Sequence, residues 1–534
     1  MEYEKKEMLI YQQGKTITDQ FYLDDDYNVP DARSDVGKVI LSEGKLKVEE
    51  LKEVENYIRA AGTLAFRILY ESDDIERKLC VLEGRIPFEE MIYVEEPLAG
   101  APFLKSSNAE LTVTVINSRK LSLKVLAELL VSSEGKKETE LTMDVENSEK
   151  LYKKKETTQL LGLFSGGRDI YRIKEEVTLE GTKENIGTLL WTELSSRKLD
   201  TRIGTDEIEL RGELLLFCLY ESVDGKTEWM EQTIPYEGRL ECSGAQEQMY
   251  HQIYPELTDI NIEARMDEDG EMRCLGVEAA LEARMVIYTE EQVEILQDVY
   301  ALTQVCRPKF KEQVMEQLLM QNHSKCKVRE QLSLPELQDN ILQICHSGGR
   351  IQVEHTETVE QGVLVEGVLH VSFLYVTSDD EIPFDVWQGM IPFSYVMESN
   401  ETCEDMKCDF THFIEQLSIS LLGNGEIEVK AVLAFHSFFK KPVHLFNIEE
   451  ITYEPIDIKE VEKRPGIIGY IVQDGDDLWE LAKRYSTTME GIMEVNQMEN
   501  SDLKSGDKIL IFKENMSILS VSYTHLTLPT ICSV

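Results

Sequence analysis

Three short stretches of this chain repeat one pattern, and the repeat limits the possible folds more than any other feature of the sequence. They are GTLAFRILYESDD from Gly62, GELLLFCLYESVD from Gly212 and GVLHVSFLYVTSD from Gly367. In each, apolar residues occupy every second position, and a tyrosine follows the glycine by eight positions. A period of two is typical of a β-strand with one face on a core. The sequence therefore predicts three copies of one β-rich unit.

Each copy continues with the same further markers. An Ile-Pro-aromatic triplet begins at Ile86, Ile234 and Ile391. Because proline cannot donate a ladder hydrogen bond, each triplet should begin a strand or lie on a sheet edge. Two apolar runs around a short polar loop then predict a hairpin in every copy. The paired runs are 111–115 with 121–131, 260–264 with 274–287, and 417–422 with 427–439.

The spacing of the copies and the segments between them predict how the units are connected. The copies are about 150 residues apart, which is too long for a solenoid and favours separate domains on a string. Residues 307–330 are locally basic and helix-prone, which predicts a connecting helix, with a docking segment as the alternative. Residues 149–158 are highly charged and predict a linker.

The charge balance restricts the partners that this chain can have. It carries 100 acidic and 55 basic residues, a formal net charge of −45. Such a surface repels phosphate backbones and anionic membranes, so neither a nucleic-acid partner nor membrane insertion is expected. The charge predicts a well-solvated surface. The alternative is that the acidic surface binds a basic patch on a partner.

Two further patterns bear on the compartment. No apolar run reaches the roughly 20 residues of a membrane helix, and the first residues lack the apolar core of an export signal. The ten cysteines are therefore expected to be reduced thiols in a cytosol.

The sequence offers no clear catalytic or metal-binding motif. It contains no P-loop, no zinc-protease motif and no nucleophile elbow, and its nine histidines are dispersed. Enzymatic activity and a cofactor are therefore not expected. Cys403, Cys408 and His412 form a C-x4-C-x3-H cluster, but no second pair at finger-like spacing accompanies it. No metal site is expected there.

Near its C-terminus the chain carries a small module of a different kind. Strand residues 470–472 lead through the turn Asp474-Gly475-Asp476 into a helix that Asp477 can cap. One face of that helix is apolar, and a second helix follows Thr487. Residues 508–512 form a last strand. The predicted order is strand, helix, helix, strand.

The three repeated units resemble the SPOCS domain of endospore-forming bacteria. The residues that carry the resemblance are VPDARSDVGKVI, Val29 to Ile40, and the three glycine-to-tyrosine strands with their Ile-Pro-aromatic triplets. The predicted fold is therefore mainly β, with three antiparallel β-rich SPOCS-like domains in tandem followed by the small βααβ module. The expected domain bounds are 27–148, 165–305, 330–458 and 467–513.

The small module resembles LysM, which binds peptidoglycan and chitin. In that family, N-acetylated sugars lie in a shallow groove between the loop after the first strand and the loop after the second helix. Trp479, beside this groove, is either core or groove rim. Substituting Asp476, Leu478, Asn496 or Leu503 is expected to cost little stability. The resemblance implies a partner- or glycan-binding site at Gly475, Asp476, Asp477, Leu478, Asn496, Leu503 and Lys504.

Three SPOCS-like units followed by LysM resemble the SipL-like family of spore coat morphogenesis proteins. That resemblance implies a non-enzymatic structural adaptor in endospore coat assembly. It would act in the mother-cell cytoplasm, at the forespore surface, and its LysM domain would bind a coat-scaffold ATPase (SpoIVA-like). The alternative is a LysM protein that binds peptidoglycan or N-acetylglucosamine in the cell wall or spore cortex.

The last residues are expected to be foreign to the protein. The string VSYTHL from Val521 is what the transposon end used in preparing sequencing libraries encodes, so residues 514–534 are predicted to be a non-native tail.

Overall fold

The protein is built almost entirely from antiparallel strands, which confirms the predicted fold class. The computed structural model describes residues 2–74, 78–378, 383–403, 405–456 and 465–513. Residues 514–534, predicted to be a foreign tail, lie outside the described residues. The first repeated unit contains β1 (Glu2–Gln13), β2 (Ile17–Asn28), β3 (Val36–Val54), β4 (Tyr57–Ser72), β5 (Leu79–Tyr93), β6 (Ala101–Asn117) and β7 (Lys120–Glu146).

The second and third units follow the same order with one fewer strand, because one long strand replaces the pair β1 and β2. The second unit contains β8 (Leu151–Thr178), β9 (Ile186–Ile203), β10 (Glu207–Ser222), β11 (Thr227–Glu241), β12 (Tyr250–Met266) and β13 (Met272–Ala301). The third contains β14 (Gln304–Ser333), β15 (Ile341–Val359), β16 (Gly362–Thr377), β17 (Phe384–Glu398), β18 (Lys407–Gly423) and β19 (Glu426–Pro455), with a 3-10 turn at Pro335–Leu337.

Each unit is a pair of sheets. The middle three strands form a meander, in the orders β3-β4-β5, β9-β10-β11 and β15-β16-β17. The long last strand pairs with the first strand of the unit on one side and with the preceding strand on the other, as in β12-β13-β8 and β14-β19-β18. In the first unit, β7 pairs with β1 and β2 along its length and with β6. The three predicted hairpins, β6–β7, β12–β13 and β18–β19, are therefore confirmed.

The repeated stretch is the central strand of each meander, as the alternation predicts. The alternate residues Leu64, Phe66 and Ile68 are buried, and so are their equivalents in β10 and β16. The tyrosines that follow are buried too, and Tyr70 and Tyr220 donate hydrogen bonds to the backbone oxygens of Ser34 (2.9 Å) and Glu184 (3.2 Å). The Ile-Pro-aromatic triplets lie in β5, β11 and β17, which are edge strands of the meanders, as the prolines require.

Two predictions about the connecting segments are wrong. Residues 307–330 are not a helix but most of β14, which pairs with β19 along its whole length and buries Met315 and Cys326. Pairing with a long neighbouring strand overrides the local helix preference. Residues 151–158 are not a linker but the start of β8, whose partner is the end of β13.

The three units are not separate domains on a string, because they pack into a closed ring. Strand β5 packs against β9, β11 against β15, and β17 against β3. Between the first two units, the Arg67 guanidinium lies 4.4 Å from the centre of the Trp191 ring. Between the second and third, Phe217 stacks on His346 at 4.2 Å. The third unit returns to the first through a 2.9 Å ion pair between Asp385 and Lys38.

Two sets of shared cores hold the ring together. We call the first the central cluster; it contains equivalent residues from all three meanders, namely Leu69, Leu219 and Leu374, and Ile40, Leu190 and Cys345. The outer halves of the first and last strands of each unit form a two-stranded ribbon, and the three ribbons pack together through a second cluster. That cluster contains Met8, Ile10, Leu141, Leu160, Val293, Ile295, Met315 and Leu445. Apolar faces that no single unit covers are thereby buried between units.

Candidate functional site

The small module has the predicted strand-helix-helix-strand order. Its elements are β20 (Ile467–Ile471), α1 (Leu478–Tyr485), α2 (Met489–Asn496) and β21 (Lys508–Phe512), and β20 pairs antiparallel with β21. Asp477 caps α1 as predicted, since its carboxylate accepts a hydrogen bond from the backbone nitrogen of Trp479 at 3.1 Å. The cap of α2 is Thr488, one residue later than predicted, and it accepts from the nitrogen of Gly491 at 2.9 Å.

The loop after β20 is a tight turn held by its own side chains. Gly475 has a φ of 84°, which a residue with a side chain rarely adopts, and it is exposed. The Asp476 carboxylate accepts hydrogen bonds from the Tyr470 hydroxyl (2.9 Å) and from the backbone nitrogen of Gln473 (2.7 Å). The loop is therefore a preformed surface, and Asp476 contributes to its shape as well as to its charge.

Two of the predicted site residues belong to the module's internal structure. Leu478 is fully buried in the core of the module, because it is the first apolar residue of the amphipathic helix α1. The Asn496 amide donates to the backbone oxygens of Ile492 (2.8 Å) and Leu510 (2.7 Å), and it accepts from the nitrogen of Leu510 (2.7 Å). Asn496 thus fastens α2 to the edge of β21. Substituting Leu478 or Asn496 is therefore expected to lower the stability of the module, in contrast to the expectation from the resemblance.

The remaining predicted residues lie at or near the surface. Leu503 is half-buried against the module core, and Lys504 is exposed on the loop after α2. The Asp477 carboxylate is half-exposed and accepts a hydrogen bond from the Lys154 ammonium at 2.6 Å. Burial would raise the pKa of Asp477, but the hydrogen bonds from Lys154 and the Trp479 backbone outweigh it and lower the pKa. That all seven residues form one binding site stays a prediction.

Of the two predicted alternatives for Trp479, core is confirmed, because Trp479 belongs to the buried cluster of the module. It is 5 % exposed, and it lies against Tyr300 of the second unit with its ring centre 4.8 Å from the tyrosine ring. The Trp479 side chain is therefore buried against the second unit and does not line the groove.

The sequence reasoning missed an apolar surface on the outside of the two-stranded β20–β21 sheet. Four side chains on this side of the two strands are exposed, and we call them the apolar sheet face: Ile467 (60 %), Ile471 (54 %), Leu510 (47 %) and Phe512 (39 %). Ile467 lies opposite Phe512, and Ile471 opposite Lys508. The run Lys-Ile-Leu-Ile-Phe was the available signal, since a strand that is apolar on both faces exposes one of them in a two-stranded sheet.

The discounted metal cluster has no support in the described part of the chain. No group of three or more histidine, cysteine or acidic side chains there is arranged to hold a metal ion. Cys408 and His412 instead line a cavity of about 590 Å³ where the three units meet. Burial raises the pKa of the Cys408 thiol, and burial together with the charge of Lys105 lowers the pKa of His412 to about 4. His412 is therefore a neutral interior side chain at neutral pH.

No helix among the described residues has the length and apolar character needed to cross a membrane.

Comparison with protein families agrees with the domain resemblances. The SPOCS domain model of SipL matches residues 35–117, 185–265 and 340–422, which cover each meander and the strand after it. The LysM domain model matches residues 470–512. Comparisons with curated proteins and with solved structures found no match. SPOCS and LysM are non-catalytic domain types, and their combination fits a sporulation coat protein with a peptidoglycan-binding type of module. The chain is thus a SipL-like protein in which three SPOCS domains are followed by a LysM domain.

Proposed function

We propose that this protein is a non-enzymatic adaptor in endospore coat assembly. Its LysM domain binds a coat-scaffold ATPase (SpoIVA-like), and the protein acts in the mother-cell cytoplasm at the forespore surface. The SPOCS and LysM family matches support the sporulation role. The choice of a protein partner rests on the apolar sheet face.

The apolar sheet face supports protein recognition because of its chemistry and its position. Four exposed apolar side chains on a two-stranded sheet are what a protein partner can desolvate, whereas they offer no hydrogen bonds to a sugar hydroxyl. Ile471 and Lys508 lie opposite each other at one end of this sheet, directly beside the two groove loops. A partner that covers Gly475 and Lys504 would therefore be able to reach Ile471 as well.

Peptidoglycan binding is the second candidate, and the LysM match itself favours it. The two functions separate in a pull-down with the full chain, using purified coat ATPase in one arm and purified peptidoglycan in the other. The adaptor proposal expects capture of the ATPase. Capture of peptidoglycan alone would favour the wall or cortex function instead.

Variants locate the binding surface. Ile471→Asp and Lys504→Glu change exposed positions, so both should leave the melting curve unchanged and weaken ATPase capture. Val223→Asp is the matched control, because Val223 is 71 % exposed on a turn of the second unit. If capture survives removal of the module from Gly466 onward, the partner binds the SPOCS domains and the proposed role of LysM is wrong.

A further inference from the structure

The LysM domain lies on one particular part of the SPOCS ring, the outer end of the second unit's ribbon. The contact centres on Asp298, whose side chain is 13 % exposed. Its carboxylate accepts a hydrogen bond from the Trp479 indole nitrogen at 2.8 Å and from the Lys483 ammonium at 2.9 and 2.6 Å. Trp479 and Lys483 are four residues apart, on the same side of α1. A mostly buried carboxylate that accepts three hydrogen bonds from two donor groups is well compensated for its lost hydration.

An aromatic pair extends the LysM core into the second unit. Tyr300 is 4 % exposed, and it belongs to the same apolar cluster as Leu478, Trp479 and Ile492. Its ring stacks on Tyr152 at 5.0 Å, and its hydroxyl donates to the backbone oxygen of Thr487 at 3.0 Å. The two domains therefore share a continuous apolar core at this point.

A third contact lies at the start of α1. The Lys154 ammonium donates to the Asp477 carboxylate at 2.6 Å. Lys154 is the cross-strand partner of Asp298, and Tyr152 is the cross-strand partner of Tyr300. The contacts therefore come from two cross-strand pairs on the same face of one ribbon, separated by a single pair, and three points on the LysM domain are held at once.

The other two ribbons offer different residues at the same positions. All three ribbons have a register shift at the same place, so the two cross-strand pairs can be matched between units. Unit 2 has Asp298 with Lys154 and Tyr300 with Tyr152; unit 1 has Asp144 with Glu4 and Glu146 with Glu2; unit 3 has Glu450 with Lys309 and Thr452 with Arg307.

These differences decide which ribbon can receive the domain. The aromatic pair is replaced by two glutamates in unit 1 and by threonine and arginine in unit 3, so neither can supply an apolar contact for Trp479. In unit 1 the carboxylate of Asp144 is also already bonded to Lys153 and Lys155 of the second unit. We propose that the second ribbon is a receptor for the LysM domain of the same chain and that Asp298 fixes the orientation of that domain. Docking in this way uses α1 and leaves Gly475, Lys504 and the apolar sheet face exposed.

The state of Trp479 in the full chain tests the proposal. The protein contains four tryptophans, so 5-fluorotryptophan labelling gives a simple ¹⁹F spectrum in which Trp479→Phe identifies one signal. In the unaltered chain this signal should be insensitive to exchange of H₂O for D₂O, because the ring is buried. Asp298→Asn and, separately, Lys483→Ala should each raise the solvent-sensitive, undocked fraction by at least about tenfold. The other three signals should not move.

Two further variants test the choice of ribbon. Tyr152→Glu gives unit 2 the residue of unit 1 and should also undock the domain. Glu450→Gln changes the exposed counterpart of Asp298 in unit 3 and should have no effect. A Trp479 signal that stays shielded in both Asp298→Asn and Lys483→Ala would overturn the proposal. A docked fraction that rises with protein concentration would also overturn it, since the receptor would then be a second copy of the chain.

Discussion

His346 carries a positive charge inside the protein at neutral pH. It is 8 % exposed, and its two ring nitrogens lie 2.7 Å from a Glu231 oxygen and 3.2 Å from a Glu193 oxygen. Burial alone would lower the pKa of His346, but the hydrogen bonds and charges of the two glutamates outweigh it and raise the pKa to about 9. The glutamates belong to the second unit and the histidine to the third, so this charge cluster contributes to the contact between them.

The pKa of His346 predicts how its contribution to stability depends on pH. Because the folded pKa is above the ordinary value of about 6.5, the contribution is fully present below pH 6.5 and is lost as pH rises through about 9. His346→Gln should therefore lower the free energy of unfolding by on the order of 2 kcal/mol at pH 6, and the difference from the unaltered protein should shrink towards pH 10. Chemical denaturation at several pH values measures this. A pH-independent difference would mean that the histidine acts through packing alone.

At the residue scale, the sequence predicted turns and caps better than it predicted the exposure of side chains. Asp477 was predicted correctly as a cap, because capping depends only on neighbours along the chain. Asn496 and Leu478 were placed by the resemblance near a groove, although their hydrogen bonds and burial give them structural roles. Those roles depend on β21 and on the helix packing, which the local sequence does not reveal.

At the scale of single elements, the central strand of each meander shows why the repeated stretch begins with glycine. A Cβ atom on Gly62 would lie 2.1 Å from the backbone oxygen of Lys47, and one on Gly367 would lie 2.2 Å from that of Gln352. At Gly212 the nearest atoms, at 2.4 Å, belong instead to the Tyr236 ring. The repeat therefore preserves a close approach of neighbouring strands rather than a turn.

Alanine substitutions at these glycines should differ in a predictable way. Gly62→Ala and Gly367→Ala should each cost at least about 2 kcal/mol of unfolding free energy, because backbone must move to make room. Gly212→Ala should cost less, since a side chain can rotate where a backbone oxygen cannot. Gly167→Ala in β8 is the control, because a Cβ there would have no neighbour within 4 Å. Equal losses at all four positions would contradict this explanation.

The long outer strands are the elements that the sequence did not reveal. Period-two alternation predicted the meander strands and the hairpins, because one face of each packs on its own unit. Strand β14 has no such simple alternation, since part of it faces the third unit's own core and part faces the ribbons of the other two. Its burial depends on neighbours from other units, so local composition alone predicted a helix.

At the scale of the whole molecule, the closed ring implies that the three SPOCS domains unfold together. Each domain supplies residues to the central cluster and to the second cluster, in which the three ribbons pack together. Unfolding of one domain would therefore expose apolar side chains of the other two. The sequence did not predict this shared burial. The residues that form the central cluster lie between the alternate positions that face each unit's own core, where solvent-exposed side chains are expected. Leu69 and Leu219 each directly precede the repeat tyrosine and point to the other units.

One substitution tests this coupling. Leu219 is fully buried in the central cluster, so Leu219→Ala should cost about 2–5 kcal/mol. Because the cluster is shared, calorimetry should show the transition of all three SPOCS domains moving to lower temperature together. A separate transition for the second domain, with the others unchanged, would show that the domains are energetically independent.

A second whole-molecule prediction concerns acid. His323 and His436 stack at 3.8 Å near His251, on the contact between the second and third units. Burial first, and then neighbouring positive charge, lowers the pKa of His251 to about 4 and that of His436 to about 3. Because these folded pKa values are below the ordinary 6.5, the unfolded chain binds more protons as pH falls, and stability should decrease below pH 6.5. His436→Gln should make the decrease between pH 7 and pH 5 shallower in denaturant titrations; an unchanged slope would exclude this histidine as a cause.

The central cluster cannot be completed until the third unit has left the ribosome, because all three units supply residues to it. Leu69 belongs to the first unit, whereas Phe384 of the same cluster is synthesised roughly 300 residues later. At a translation rate of roughly 5–20 residues per second, the face of the first meander that belongs to the central cluster stays uncovered for tens of seconds. During that time it is an apolar sheet surface on a nascent chain, open to chaperones and to equivalent surfaces on neighbouring ribosomes of the same message.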